Sequence, residues 1–338
     1  MSEKGRQQVP SPLDDLSTKI LHSLHVDGRA SWSQVAKEVN SSTSTVRRRY
    51  HSLEEKGYLR VIGRTDVSLL GSTLTAEVLL QGADVNKEHF VRHLQQRPDV
   101  RYLGSVIGSA NAVAELVVRS PSEMKHSLQE ITHGFEVKAE PFLVSNTHTV
   151  GLDWVPEATP RPTHDIRQQK RIDLSPSEAT IIGILLRDGR TPLGKLGSVI
   201  GKSESTAKRV LESLKEQGVL SFRVLVEPLR LSFEAEFWIW LDVEPTQRGS
   251  VSEILSLHPA TKFLASTTGR YGFVGQVVLR SSREAHSYIT DVLGETPGIR
   301  GVEMMMVVET YKRMWFTVAD AAYKEALGPG WLFTTGNQ

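Results

Sequence analysis

Apolar residues three and four apart open the first patterned stretch of the chain. Leu16, Ile20 and Leu24 share one face of a predicted helix. A short second helix follows, N-capped by Ser31, with Val35, Ala36 and Val39 inward. Asn40, a residue tolerant of positive φ, makes the turn. A third helix starts at the N-cap Ser42 and stops at Gly57, which suits a left-handed C′ position, with Tyr58 as its apolar follower. Two helices joined by so tight a turn predict a helix-turn-helix. Then the period drops to two. Residues 58–66 read as a short strand with a turn at Gly63, and 73–81 as a strand with Leu74, Ala76, Val78 and Leu80 on one face. A helix over 87–96, strands over 100–108 and 112–119, a helix over 121–132 and a strand over 135–144 complete a βαββαβ order, the ferredoxin-like split motif.

The pattern then recurs 161 positions on. Asp27-Gly28-Arg29 returns as Asp188-Gly189-Arg190, Ile20 as Ile181, Ser42 as Ser203, Gly57 as Gly218 and Pro98 as Pro259. A repeat of this length is a duplicated module, not a solenoid unit. In the second half Thr191 is the expected cap of the second helix, with Pro192 at its first position, and Gly201 is the turn residue. The equivalent sheet elements are strands at 236–243, 261–269, 273–279 and 302–309, with helices at 249–257 and 282–293. The register slips by about three residues near Gly134 and Gly294, where the second half gains Pro297-Gly298. A further strand at 311–318 and a helix near 319–327 are expected after the repeat. The predicted class is α+β, with two winged or helix-turn-helix domains and two ferredoxin-like domains in tandem. The boundaries are a flexible leader at 1–12, a first helix-turn-helix domain at 13–66 and a first effector and oligomerisation domain at 73–150. A Pro-rich linker at 156–171, a second helix-turn-helix domain at 172–227, a second effector domain at 235–318 and a tail at 319–338 follow.

The segments ILHSLHVDGRASWSQVAKEVNSSTSTVRRRYHSLEEKGYL and IIGILLRDGRTPLGKLGSVIGKSESTAKRVLESLKEQGVL resemble the Lrp/AsnC (feast/famine) regulators. The D-G-R between helices one and two, the S-x-S-T opening of helix three and the L-x-x-x-G exit carry the likeness, over roughly 13–150 and 172–318. The resemblance implies two protomers fused head to tail, binding double-stranded DNA, responding to an amino acid or related acid, and assembling as a homodimer or higher homo-oligomer. The siroheme decarboxylases of alternative haem synthesis look similar in architecture and form the competing, enzymatic reading. Their His/Arg-bearing loop has no counterpart here, because residues 101–111 and 261–273 hold no His.

Composition narrows this further. The chain has 338 residues, no Cys and a net charge of +1. Disulfides, thiolate catalysis and Cys-based zinc are therefore out, and DNA binding must rest on a local basic patch. With no long apolar run and a polar start, a soluble, cytoplasmic protein is expected.

Arg47-Arg48-Arg49 is the most basic run. An isolated Arg triplet is more often a solvated helix face, but a recognition helix enters the major groove by its N-terminal part. Steps of 100° turn Val46, Tyr50 and Leu53 inward and Ser44, Arg48 and His51 outward, with Arg47 flanking; Arg49 falls nearer the core edge. The expected DNA-contacting residues are Ser42, Thr43, Ser44, Arg47, Arg48 and His51, then Ser203, Ser205, Lys208 and Arg209. The family's acidic effector loop would fall at 108–111 and 269–272, where neither acidic position is kept as Asp; the expected effector residues are Gly108, Asn111, Gly269, Arg270 and Tyr271. An ordinary hairpin turn explains both loops as well. His89 and His93 have i, i+4 spacing but no third ligand and are read as solvent-facing, so no metal, no cofactor and no catalytic residue is assigned. Trp238 and Trp240 share one strand face and, like Met304-Met305-Met306, are expected in the core.

Overall fold

The computed structural model describes residues 12–65, 73–154, 156 and 173–327. The expected leader up to residue 11, nearly all of the linker and the end of the tail, 328–338, lie outside the described residues. Helices α1 (Asp15–Val26), α2 (Trp32–Glu38) and α3 (Thr43–Glu55) run into strand β1 (Leu59–Arg64). Local chemistry sets each boundary. The Oγ of Ser31 accepts from Gln34 N and that of Ser42 from Thr45 N, at 3.2 and 3.1 Å. Asn40 turns at φ 52° and Gly57 ends α3 at φ 72°.

Strand β2 (Leu74–Gln81), α4 (Glu88–Gln96), β3 (Val100–Ile107), β4 (Ala112–Val118), α5 (Pro121–Thr132) and β5 (Lys138–Thr149) follow. The same order returns as α6 (Pro176–Leu185), α7 (Leu193–Val199), α8 (Glu204–Glu216) and β6 (Ser221–Val226). Then come β7 (Ala235–Val243), α9 (Arg248–Ser256), β8 (Thr261–Thr267), β9 (Phe273–Leu279), α10 (Glu284–Ser287) and β10 (Ile299–Arg313). The hairpin β11 (Phe316–Ala319) and β12 (Ala322–Ala326) closes the described chain. In each half the sheet order is ferredoxin-like, β3-β4-β2-β5 and β8-β9-β7-β10.

The two sheets share strands. β5 pairs with β2 as far as Leu143 and with β8 from Val144; β10 pairs with β7 as far as Met306 and with β3 from Met306 onward. Eight strands thereby close into a ring, with α4, α5 and α9 packed outside. Alternation along the strands sends one residue set under the helices and the other into the ring. Leu79, Val113, Phe142, Trp240, Val274 and Met305 form the dry inner core. Trp238 and Trp240 lie within it with tilted rings 5.5 Å apart, in the core as the sequence predicts. Met305 is fully buried there, whereas Met304 and Met306 lie half-buried on the opposite face against the second half's helices.

Toward the three-helix units the ring turns polar. Arg313, buried among Glu227 and Glu236, makes N–O contacts of 2.8 Å to each, and Lys262 donates to Glu236 at 2.9 Å. These partners hold the Glu236 carboxyl down to about 2 against the opposing effect of its burial. Tyr323 on β12 donates to Glu227 at 2.5 Å.

Five expectations change. The "wing" is not a hairpin within either unit: β1 and β6 pair with each other, Ile62 opposite Arg223. Gly63 is not a turn but lies in that ribbon, opposite Phe222, where a Cβ would come within 3.0 Å of the Leu185 backbone. The strands expected at 302–309 and 311–318 are one fifteen-residue strand up to Arg313, because β10 must traverse both sheets. The expected helix at 319–327 is strand β12, paired to β11, so this part of the tail belongs to the fold. The helix expected at 282–293 is one α-helical turn continued as a π-helix over Tyr288–Leu293.

The hairpin also meets α3. Tyr323 N donates to Gly57 O at 2.7 Å, and a Cβ on Gly57 would collide with the Tyr323 carbonyl. Its counterpart Gly218 has φ 71° and open space around it. Gly218→Ala should cost about 1 kcal/mol for the left-handed backbone alone. Gly57→Ala should cost roughly 3 kcal/mol or more, since it also displaces the hairpin. Paired thermal melts decide it: equal losses would show that the hairpin does not bear on α3.

Candidate DNA interface and effector loops

The exposed face of α3 begins at its cap. Ser42, Thr43, Ser44, Arg47, Arg48 and His51 are solvent-facing, while Val46, Tyr50 and Leu53 are buried. On α8 the same geometry exposes Ser203, Ser205, Lys208 and Arg209 over buried Ala207, Leu211 and Leu214. Both caps hold: Ser203 Oγ accepts from Thr206 N at 3.2 Å. Charge neighbours differ between the helices. Arg49 points outward but pairs with Asp14, the cap of α1, at 3.2 Å. His51 lies 3.6 Å from Glu54, and Lys208 lies 3.7 Å from Glu212 one turn on. Glu204 adds an exposed carboxylate to the first turn of α8.

What fixes the two helices relative to each other is the repeated D-G-R. Arg29 donates to Gly189 O and Thr191 O at 2.6 and 3.1 Å; Arg190 donates to Gly28 O and Ala30 O at 2.7 and 2.9 Å. Each guanidinium forks across to the equivalent turn of the other unit. Each Asp closes its own turn, Asp27 accepting from Arg29 N and Asp188 from Arg190 N, at 3.0 and 2.9 Å. Each Gly permits a close approach that a side chain would block: a Cβ on Gly28 would lie 2.8 Å from Phe222 Cβ, and one on Gly189 2.9 Å from the Ile62 carbonyl carbon. Arg190 also covers Trp32, 3.9 Å from the ring centre. Sequence reasoning missed this role. The signal was a cation placed in the same turn of both copies, 161 positions apart. Thr191, expected as the α7 cap, instead turns its hydroxyl to Asp188 at 2.9 Å, so α7 starts without a side-chain cap.

The expected effector residues sit at two hairpin tips, each against the crossing strand. Gly108 abuts Met305 of β10, where a Cβ would collide with that side chain, and Asn111 Oδ1 accepts from Gly82 N at 3.0 Å. Gly269 faces Phe142 of β5. Arg270 pairs with Glu140 at 3.0 Å and lies 4.9 Å above the Tyr271 ring, whose hydroxyl donates to Glu303. Asn111 thus ties its turn to the end of β2, and a ligand carboxylate at Arg270 would compete with Glu140. His89 and His93 both lie against Phe135, at 5.5 and 5.3 Å, and His93 is half-buried, not solvent-facing as expected. No group of three or more metal-capable side chains occurs among the described residues. No described helix is long and apolar enough to cross a membrane.

Comparison with known proteins places this geometry in a class. The AsnC-type helix-turn-helix domain profile matches residues 13–54, and the Lrp/AsnC ligand-binding domain profile matches 236–314. The regulator FL11 of Pyrococcus abyssi is 31% identical over 143 residues, which span 42% of this chain and 94% of that protein. FL11 of Pyrococcus horikoshii is 29% identical over the same length. The chain belongs to the Lrp/AsnC family of helix-turn-helix transcriptional regulators. The chain also superposes on a solved structure of the siroheme decarboxylase NirDL, with a TM-score of 0.62 at 16% identity, covering 94% of this chain and 97% of that one. That likeness is one of fold.

The crossed arginines make a direct prediction. Charge-assisted hydrogen bonds are each worth about 1.5–3 kcal/mol, so Arg190→Ala should destabilise the helical units by roughly 3 kcal/mol. Arg190→Lys should recover only part of this, because an ammonium cannot fork to two carbonyls. Hydrogen exchange at residues 28–32 and 61–63 is the readout; unchanged protection in the Ala variant would remove the clamp.

Proposed function

We propose that this chain is a tandem-duplicated, sequence-specific regulator of transcription that reads double-stranded DNA with α3 and α8 together. The observation that carries the reading is the pair of outward helices on equivalent units, held by reciprocal arginines, with Arg47 and Arg48 exposed beside the N-terminal half of α3. The residues proposed to touch DNA are those exposed on the two helices. An amino acid or related acid acts as effector at the tips containing Gly108, Asn111, Gly269, Arg270 and Tyr271. The protein is not an enzyme in this reading.

The competing reading is a siroheme-decarboxylase-like enzyme, favoured by the whole-chain fold likeness. Against it stand the curated relatives, which are named transcriptional regulators. Purified protein carrying a tightly bound tetrapyrrole, seen as a Soret band, would restore it.

The two reading helices are unequal in charge. Lys208 is tied to Glu212, and Glu204 stands in the opening turn, so α8 offers a weaker field to phosphates than α3. Arg48→Ala should weaken specific binding by about 1–3 kcal/mol, and Arg209→Ala by less. Anisotropy titrations at two salt concentrations, on a site obtained by unbiased selection, test both. An Arg209→Ala variant that binds worse than Arg48→Ala, or a selected site that is a true palindrome, would overturn the asymmetry.

Assembly beyond one chain rests on the ring's outer surface. Ile107 and Val308 are 68% and 59% exposed near the β3–β10 junction, an apolar pair suited to a second copy. Light scattering at micromolar concentration should give a dimer or larger species, and Ile107→Asp with Val308→Asp should return it to one chain. A wild-type monomer would remove the proposal.

A further inference from the structure

The ring is filled at one end and hollow at the other. Between its polar end, the β6 strand and the 3-10 turn at Gly151–Asp153 lies a cavity of about 320 Å³. That volume is at the small end of the range for small-molecule sites. Trp238, Tyr102 and Phe263 wall one side; Tyr102 and Trp238 meet edge to face at 5.2 Å, and Trp238 Nε1 donates to Tyr102 Oη at 3.2 Å. Gln276 and Glu115 line it as well.

Glu77 of β2 also lines this cavity, and no cation there is hydrogen-bonded to it. It is fully buried, and neither carboxyl oxygen has a hydrogen-bond donor. Its cross-strand neighbour is Glu115, already engaged by the forked guanidinium of Arg101 from β3. The remaining cations at the cavity face carboxylates of their own. Lys262 of β8 faces Glu236, Arg313 of β10 faces Glu227 and Glu236, and Arg64 of β1 faces Asp153 at 2.8 Å. Glu77 is therefore the carboxyl left over. A buried acid in this position costs several kcal/mol if ionised alone. Burial first, and the Glu115 charge second, push its pKa well up against the opposing charge of Arg101, with contact to the Glu115 carboxylate adding to the rise, so the empty site holds it as the neutral acid.

We propose that this cavity is a binding site for a small organic monocation, an arylalkyl- or alkylammonium, whose ammonium group pairs with Glu77. The aromatic walls take the apolar part and favour a positive charge over their faces. The ammonium supplies the hydrogen-bond donors that Glu77 lacks, and the surplus carboxylate supplies the charge that a monocation lacks. An anionic ligand finds no such match, since each lining cation already faces a carboxylate. The site is separate from the hairpin tips and does not depend on the DNA reading.

Binding converts neutral Glu77 to its carboxylate, and one proton leaves to solvent. Affinity should therefore rise about tenfold per pH unit while the pH is below the Glu77 pKa of the empty site, and level off above it. The test uses the full chain without DNA and three matched probes: 2-phenylethylamine, 2-phenylethanol and 3-phenylpropionate. Calorimetry should show the amine binding at least about tenfold more tightly than the alcohol, a difference of one charge-assisted contact or more. Repeating it in buffers of different ionisation enthalpy should give release of close to one proton per amine bound. Glu77→Gln mimics the neutral acid in shape and should fold, but lose amine selectivity and proton release; Glu77→Leu should do the same. Equal binding of amine and alcohol would overturn the proposal, as would preference for the acid or no amine binding at millimolar concentration. Retained selectivity in Glu77→Gln would do so too. Because DNA is absent throughout, none of these results bears on whether α3 and α8 read an operator.

Discussion

Two strands that each serve two sheets are the constraint on which the rest of this molecule depends. β5 and β10 leave their own four-stranded sheets and finish as partners of the other half, Val144 opposite Thr267 and Met306 opposite Ile107. A sheet edge is otherwise a row of unpaired N–H and C=O groups. Here the crossing strands close the ring and leave neither half a complete sheet by itself. The apolar part of each half's inner face is shielded from water only because the other half covers it. Separate domains joined by a tether would not have this dependence.

The same symmetry reaches the helical units. Ile62 and Arg223, 161 positions apart, face each other in the β1–β6 ribbon, and the crossed arginines lie to either side of it. The spacing of α3 and α8 is thus set by backbone pairing and two guanidinium forks, not by the linker. In the proposed reading of a duplex this matters, since helices that enter successive grooves tolerate little play.

Much of this was legible in the chain. Ser42 and Ser203 could be read as caps, and Gly57 and Gly218 as left-handed exits, because these are local choices with few alternatives. The ferredoxin-like order followed from the change in apolar period. The outward placement of Arg47 and Arg48 followed from 100° steps. The misses share a cause: each depends on a partner far away in sequence. Lys312 and Arg313 look like the end of a strand, yet both are buried, Lys312 donating to Arg97 O at 2.6 Å and Arg313 held by two glutamates. Residues 319–327 hold four Ala with Lys324, Glu325 and Leu327, good helix formers, but pairing with β11 and docking on Gly57 outweigh propensity. The D-G-R arginines could be matched to a family, but their use as crossing clamps needs the second unit to be in view.

In an assembly of identical subunits, a residue beside the two-fold axis always meets a copy of itself, and any substitution arrives twice. This chain escapes that rule. Across its internal axis Glu77 stands where the second half has Trp238, and Glu115 where it has Gln276. Either wall of the central chamber can change by a single codon without altering the other. The interior can therefore drift toward a lopsided shape, with room for one guest in one orientation, while the outline of the ring stays two-fold.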